Sequence, residues 1–249
     1  MNRIKMDKFK LKSLTNNQKD IRKRILELSH QGHLSHIGSC LSSVDFIDAV
    51  YTIKGKGDKF VLSNGHAGIA LYVILEKNGL LTHNDIKKLY IHPDRNVKLG
   101  IHVSSGSLGQ GLPIALGMAI ANKKQNVYCL ISDGECAEGS VWETLRIANE
   151  KKVANLKIMV NFNGWAGYDS TSSTLLKKRF IGFGYKPKEI NGHNAKEIVK
   201  ALQRFGADKP IVIFGITSSN QFPFLKDQDA HYYTMTEKDY NQAIDLLGL

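Results

Sequence analysis

Three short apolar runs in this 249-residue chain each end at a polar, glycine-bearing segment. Phe60-Val61-Leu62 runs into Ser63-Asn64-Gly65-His66, residues 127–131 into Ser132-Asp133-Gly134-Glu135, and residues 156–160 into Asn161-Phe162-Asn163-Gly164. Runs that are apolar without alternation suit strands covered on both faces, which is the condition of a parallel sheet. Helical patterns lie between them. Residues 17–31 carry Ile21, Ile25, Leu26 and Leu28 at helical spacing, and 43–51 opens with serines. Residues 67–78 end at Gly79, and 109–124 form a smooth stretch of small and apolar residues. Further helices are predicted over 140–150, 195–205 and 237–249, with a strand over 210–216. The expectation is an α/β fold: a doubly wound parallel sheet with helices on both faces, forming one domain over 1–249. Residues 1–15 are expected to form a loose N-terminal arm.

Ligands of such sheets bind at the carboxyl ends of the strands, where the three polar segments fall. A strand ending in Asp133-Gly134 and entering a helix offers a carboxylate and a backbone N–H beside a helix N-terminus, although Asp-Gly by itself is an everyday turn. Asn163 lies 30 positions on, the length of one strand–helix–strand unit, so both side chains emerge side by side. A carboxylate, an amide oxygen and a backbone carbonyl just beyond are hard oxygen ligands suited to Mg²⁺ or Ca²⁺.

Composition narrows the class. The 34 Lys+Arg exceed the 23 Asp+Glu by 11, but the excess is scattered in short groups without interleaved aromatics, so a solvated surface is expected and not a nucleic-acid site. No apolar run approaches the roughly 20 residues of a membrane span, and the N-terminal stretch has no apolar signal core. Three cysteines without metal-like spacing read as reduced thiols of a cytoplasmic protein.

Asp-Gly followed after about 30 residues by Asn resembles the thiamine-diphosphate motif, and further segments resemble the transketolase family. Leu34-Ser35-His36-Ile37-Gly38, residues 60–67, His92-Pro93-Asp94, residues 105–111 and Glu138-Gly139 with Trp142-Glu143 each have a family counterpart, as, more weakly, has Ala230-His231. The resemblance covers about residues 20–240. It implies thiamine diphosphate and Mg²⁺ (or Ca²⁺) as cofactors, with Asp133, Asn163 and the carbonyl of Trp165 on the metal. It implies His66 and the Gly134 N–H at the diphosphate, and Gly106, Ser107 and Leu108 as the wall near the aminopyrimidine. His36, His92 and His231 would line the substrate channel, His231 also meeting the cofactor. Glu138 would sit at a subunit interface, paired with the glutamate that activates the cofactor.

The departures lie around that set. Ser132 stands where the motif usually has Gly, Asn161 where Asp is common, and His102 where Glu is frequent. None removes a contact to metal or diphosphate. The family also carries a second domain that binds the aminopyrimidine and supplies the activating glutamate. The expectation is therefore an N-terminal subunit that works with a C-terminal transketolase-like subunit in an α₂β₂ assembly. The reaction implied is transfer of a two-carbon ketol unit between sugars or sugar phosphates. The competing readings are half of a 2-oxo acid decarboxylase or dehydrogenase E1 enzyme, and a non-catalytic binding subunit. An NAD module is disfavoured, because residues 106–111 follow no strand and tight turn.

Overall fold

A computed structural model describes residues 9–203 and 209–248. In chain order the elements are α1 (Asn16–Gln31), α2 (Ile37–Ile53), β1 (Lys59–Leu62), α3 (Gly68–Lys77), α4 (His83–Ile86), α5 (Gly111–Ala121) and β2 (Val127–Ser132). There follow α6 (Gly139–Glu150), β3 (Leu156–Phe162), α7 (Ser173–Gly182), β4 (Lys188–Asn191), α8 (Ala195–Leu202), β5 (Ile211–Ile216) and α9 (Glu237–Leu247). The strands form one sheet in the order β1-β2-β3-β5-β4, with every pairing parallel.

Side chains alternate across a strand, and the sheet uses this to feed two cores. Phe60, Leu62, Tyr128, Leu130, Met159 and Ile213 face a core shared with α1, α2, α3, α8 and α9. Val61, Cys129, Ile131, Ile158, Val160 and Val212 face the other core, beneath α5, α6 and α7. The predicted helices on both faces are present, and α2 is longer than its serine cap suggested, beginning at Ile37 directly after His36. Because α2 lies between the sheet and α1, α3 and α8, thirteen of its residues are buried.

Three elements have no counterpart in the sequence reading, among them the four-residue α4, which is too short to show a period. Helix α7 has little apolar periodicity, and β4 is an edge strand with one buried residue, Ile190, so neither leaves a readable pattern. The predicted ends of the helices at 195–205 and 237–249 include residues outside those described. Of the expected loose arm, residues 1–8 also lie outside the described residues, while 9–15 pack against the domain. Leu14 is buried, Phe9 meets the His193 ring edge-on at 4.7 Å, and the Arg22 guanidinium lies 5.6 Å from the Phe9 ring centre. Thr15 and Gln18 form a reciprocal cap at the start of α1.

Candidate active site

A cavity of about 320 Å³ opens at the carboxyl ends of β1, β2 and β3. His36, His66, His92, Gly106, Leu108, Gly134, Asn163, Trp165 and His231 all line it. Asp133 lies buried behind this wall, and two expected site residues stand outside the lining, Ser107 and Glu138, both exposed.

At the β2–β3 end the sheet ladder continues past the strands, with the Asp133 N–H donating to the Asn161 carbonyl at 3.1 Å. This sets Asp133 beside the β3 loop. Its Oδ2 accepts from the Gly164 N–H at 2.9 Å and the Thr171 hydroxyl at 2.6 Å, and its Oδ1 from the Gly134 N–H at 3.2 Å. Burial pushes the Asp133 carboxyl up to about 6, against the pull of those donors. No Lys or Arg forms an ion pair with it among the described residues. Asn163 accepts from the Trp165 N–H at 2.9 Å through its side-chain oxygen. A buried carboxylate without a counter-cation, beside an amide oxygen, fits a divalent metal with hard oxygen preference. Among the described residues no group of three His, Cys, Asp or Glu side chains could hold a metal, so any metal here rests on this mixed set.

One expectation needs correction. Ser132-Asp133-Gly134 does not lead into an α-helix; it enters a 3₁₀ turn, Gly134–Ala137, and α6 starts only at Gly139. Glu135 lies within that turn. Its side chain folds back under the turn, accepting from the Ser63 hydroxyl at 2.6 Å, the Gly109 N–H at 2.9 Å and the Ser132 N–H at 3.0 Å. An argument from the helix dipole therefore does not apply at Gly134, whose own N–H is the local donor.

The histidines form the opposite wall. The His36 ring centre lies 5.5 Å from His66, 6.0 Å from His92 and 4.5 Å from His231, and His66 lies 5.0 Å from His231. His36 takes the left-handed conformation at the start of α2 (φ 64°), a strain of about 1–2 kcal/mol for a non-glycine residue. Its N–H donates to the His231 carbonyl at 3.0 Å, which ties α2 to the segment after β5. Burial pushes His36 down to about 4 and His66 down to about 3, helped by repulsion among the neighbouring imidazoles. His231 is also lowered by burial. At neutral pH these three rings are uncharged, and each can both donate and accept.

The loop carrying Gly106 and Leu108 reaches the cavity because glycines let backbones close on one another. A Cβ at Gly65 would stand 2.4 Å from the Ser105 backbone, so β1's terminal turn and this loop admit no side chain between them. No site role was expected for Ser39, Asn64, Asn161, Tyr168 or Tyr232, which also line the cavity, nor for Thr171, which holds Asp133. Asn64, Asn161 and Glu135 stood in the strand-end segments already marked. Thr171 and the tyrosines gave no signal, because only chain reversal over 164–171 and the turn at Asp227–His231 bring them to the site.

Residues 54–248 match a family model described as the transketolase, thiamine diphosphate binding domain. The chain is 29% identical to an apulose-4-phosphate transketolase subunit of Phocaeicola vulgatus, an alignment covering 90% of this chain and 89% of that protein. It is 32% identical to a 6-deoxy-6-sulfo-D-fructose transketolase subunit of a Clostridium species, covering 74% of this chain and 76% of the relative. The transketolase structure from Campylobacter jejuni superposes with a TM-score of 0.82 at 26% identity, over 93% of this chain and 42% of that chain. The chain thus spans most of the two subunit relatives and less than half of that solved transketolase.

Proposed function

The chain belongs to the family of transketolase thiamine-diphosphate-binding domains, and from that premise we propose that it is the diphosphate-binding subunit of a two-chain transketolase-type transferase. The observation that carries this reading is one cavity with two chemically different walls: the Asp133–Asn163 oxygens at one side and the packed, uncharged imidazoles at the other.

In this reading Asp133, Asn163 and the Trp165 carbonyl would hold Mg²⁺ or Ca²⁺, and the Gly134 N–H, His66 and His231 would grip the diphosphate. Gly106 and Leu108, joined by the backbone of Ser107, would form the wall beside the aminopyrimidine. When bound, thiamine diphosphate supplies the carbon nucleophile and the electron sink for breaking a ketose C–C bond. His36, His92 and His231 orient the hydroxyls of a sugar or sugar phosphate and hold or release protons there. The neutral rings of His36 and His231 suit this role, since each has one donor and one acceptor nitrogen.

The partner reading rests on a second surface. Helix α5 leaves Ile114 and Ile120 exposed at 41% and 40% on a face without side-chain cover at Gly117, and Glu138 is exposed nearby at the start of α6. An apolar helix face beside a carboxylate with no ion pair among the described residues supports docking of a C-terminal transketolase-like subunit that supplies the activating glutamate, in an α₂β₂ assembly. The relatives named as subunits support the same division. No described helix is long and apolar enough to cross a membrane, and the three cysteines are free and buried, which supports placing the complex in the cytoplasm.

The direct test mixes this chain with the partner polypeptide, Mg²⁺ and thiamine diphosphate, and follows ketol transfer from ketose donors to aldehyde acceptors. Activity is expected only when both chains are present. Ketol transfer by this chain alone would overturn the two-chain reading.

A further inference from the structure

Glu135 carries no role in the chemistry above, yet it is wholly buried, with no ion pair among the described residues. Its three donors come from three different segments. Ser63 follows β1 and leads to His66; Gly109 follows the Gly106–Leu108 wall; Ser132 ends β2 and leads to Asp133 and Gly134. We propose that Glu135 is a positioning residue of the cofactor cradle, whose carboxylate fixes the distance between the diphosphate end and the aminopyrimidine wall. The inference rests on the thiamine-diphosphate reading of the site.

Two further observations support it. The Gly109 peptide is held from both sides: Glu135 takes its N–H, and the Ser140 hydroxyl donates to its carbonyl at 2.9 Å. Gly109 has φ 75°, and a Cβ there would stand 2.6 Å from both the Glu138 Cβ and the Ser140 hydroxyl oxygen, so the loop passes against the start of α6 without slack. On the other side, a Cβ at Gly111 would stand 2.6 Å from Ser63, so loop and β1 end are also in backbone contact. A carboxylate at the junction suits three incoming donors, because both oxygens are acceptors and neither carries a hydrogen. A carboxamide of the same shape cannot do this. Whichever way Gln is turned, its NH₂ meets the Gly109 or the Ser132 N–H, and one backbone anchor is lost.

The test compares the wild-type chain with Glu135→Gln, Ser140→Ala and Ile198→Val, the last a buried change on the far face with no link to the cradle. Hydrogen exchange followed by mass spectrometry on the ligand-free chain needs no cofactor. Glu135→Gln is expected to speed exchange at least tenfold in segments 104–111 and 130–134 and to leave α1 and α8 at wild-type protection. Ser140→Ala is expected to loosen 104–111 alone, by about threefold. Titration with Mg²⁺ and thiamine diphosphate, followed by tryptophan fluorescence in the complex of both chains, is expected to show at least a tenfold weaker Kd for Glu135→Gln. Turnover at saturating cofactor should stay within threefold of wild type, so the loss appears in the KM for the cofactor and not in kcat. Unchanged exchange in 104–111 and 130–134, uniform acceleration throughout the domain, or equal Kd losses in Glu135→Gln and Ile198→Val would each overturn the positioning role. If wild-type complex bound no thiamine diphosphate, the functional reading itself would fall, whatever the exchange pattern.

Discussion

Two histidine-bearing polar clusters, one packed between α1 and α2 and one lining the cavity, differ in how their atoms are paired. In the first, Arg22, Asp45, His193, Gln18 and Gln221 close on one another. Arg22 meets both Asp45 oxygens at 2.6 and 3.2 Å and Gln221 at 2.8 Å, while Gln18 donates to Asp45 at 2.9 Å. The His193 ring lies with Nδ1 at 2.8 Å from Asp45, and its Nε2 accepts from the Ser218 N–H at 2.9 Å, which fixes the tautomer. In the cavity cluster the rings of His36, His66, His92 and His231 touch mainly one another, and buried His36 Nδ1 has no partner among the described residues. Satisfied polar groups hold a fold, whereas polar groups gathered at a cavity and left without protein partners await a ligand. By this criterion the Arg22 cluster is structural, although its residue types resemble those of a catalytic site.

The largest effect is expected from Arg22→Met. Removing one partner of a buried ion pair should cost about 3–5 kcal/mol of stability, read by urea denaturation, with cofactor affinity in the remaining folded protein within twofold of wild type. A large loss of cofactor affinity at unchanged stability would reverse the assignment. Next comes Asp133→Ala, which should lower Mg²⁺-dependent cofactor affinity by more than about 100-fold, beyond what loss of an outer-shell partner costs. Its melting temperature without ligand should change by little, and activity retained in the two-chain mixture would refute the metal assignment.

A smaller effect is expected from Gly65→Ala, where the added methyl meets the Ser105 backbone. Overpacking of this kind costs about 1–3 kcal/mol, and both melting temperature and cofactor affinity should fall together. The smallest effect is a difference in acid response. His36 and His66 have folded values lowered from 6.5 to about 4 and about 3. As pH falls below 6.5 the unfolded chain takes up their protons first, so stability is lost from there down through the folded values. Burial opposes ionisation of Asp45, but Arg22 and His193 hold it well below its usual 3.8, so its contribution is present above that value and lost only at lower pH. A His36→Gln, His66→Asn double variant should flatten the fall of melting temperature between pH 6.5 and 4 and leave the steeper loss below pH 4. An unaltered profile between pH 6.5 and 4 would mean that those rings are not held neutral.

Much of the site was legible from residues alone, and for uneven reasons. The places of Asp133 and Asn163 followed from strand ends 30 residues apart, because parallel neighbours deliver their ends to one edge. His36, His66, His92 and His231 were brought together by resemblance, since no periodicity links positions so far apart. Glu138 and Ser107 were named in the same way, and the domain leaves both exposed outside the cavity, where a partner could meet them.

The alternation of buried strands and helices, and the sheet edge at which the cavity opens, follow from the residues alone. Apolar runs must be covered, and polar turns at strand ends carry groups that must find hydrogen-bond partners there. Tertiary structure alone decided that the turn after Asp133 is 3₁₀, that Glu135 points inward to three donors, and that Thr171 and the tyrosines reach the site. It also decided which of the two histidine clusters is saturated. These are matters of which distant donor meets which acceptor, and that pairing exists only once the segments are packed.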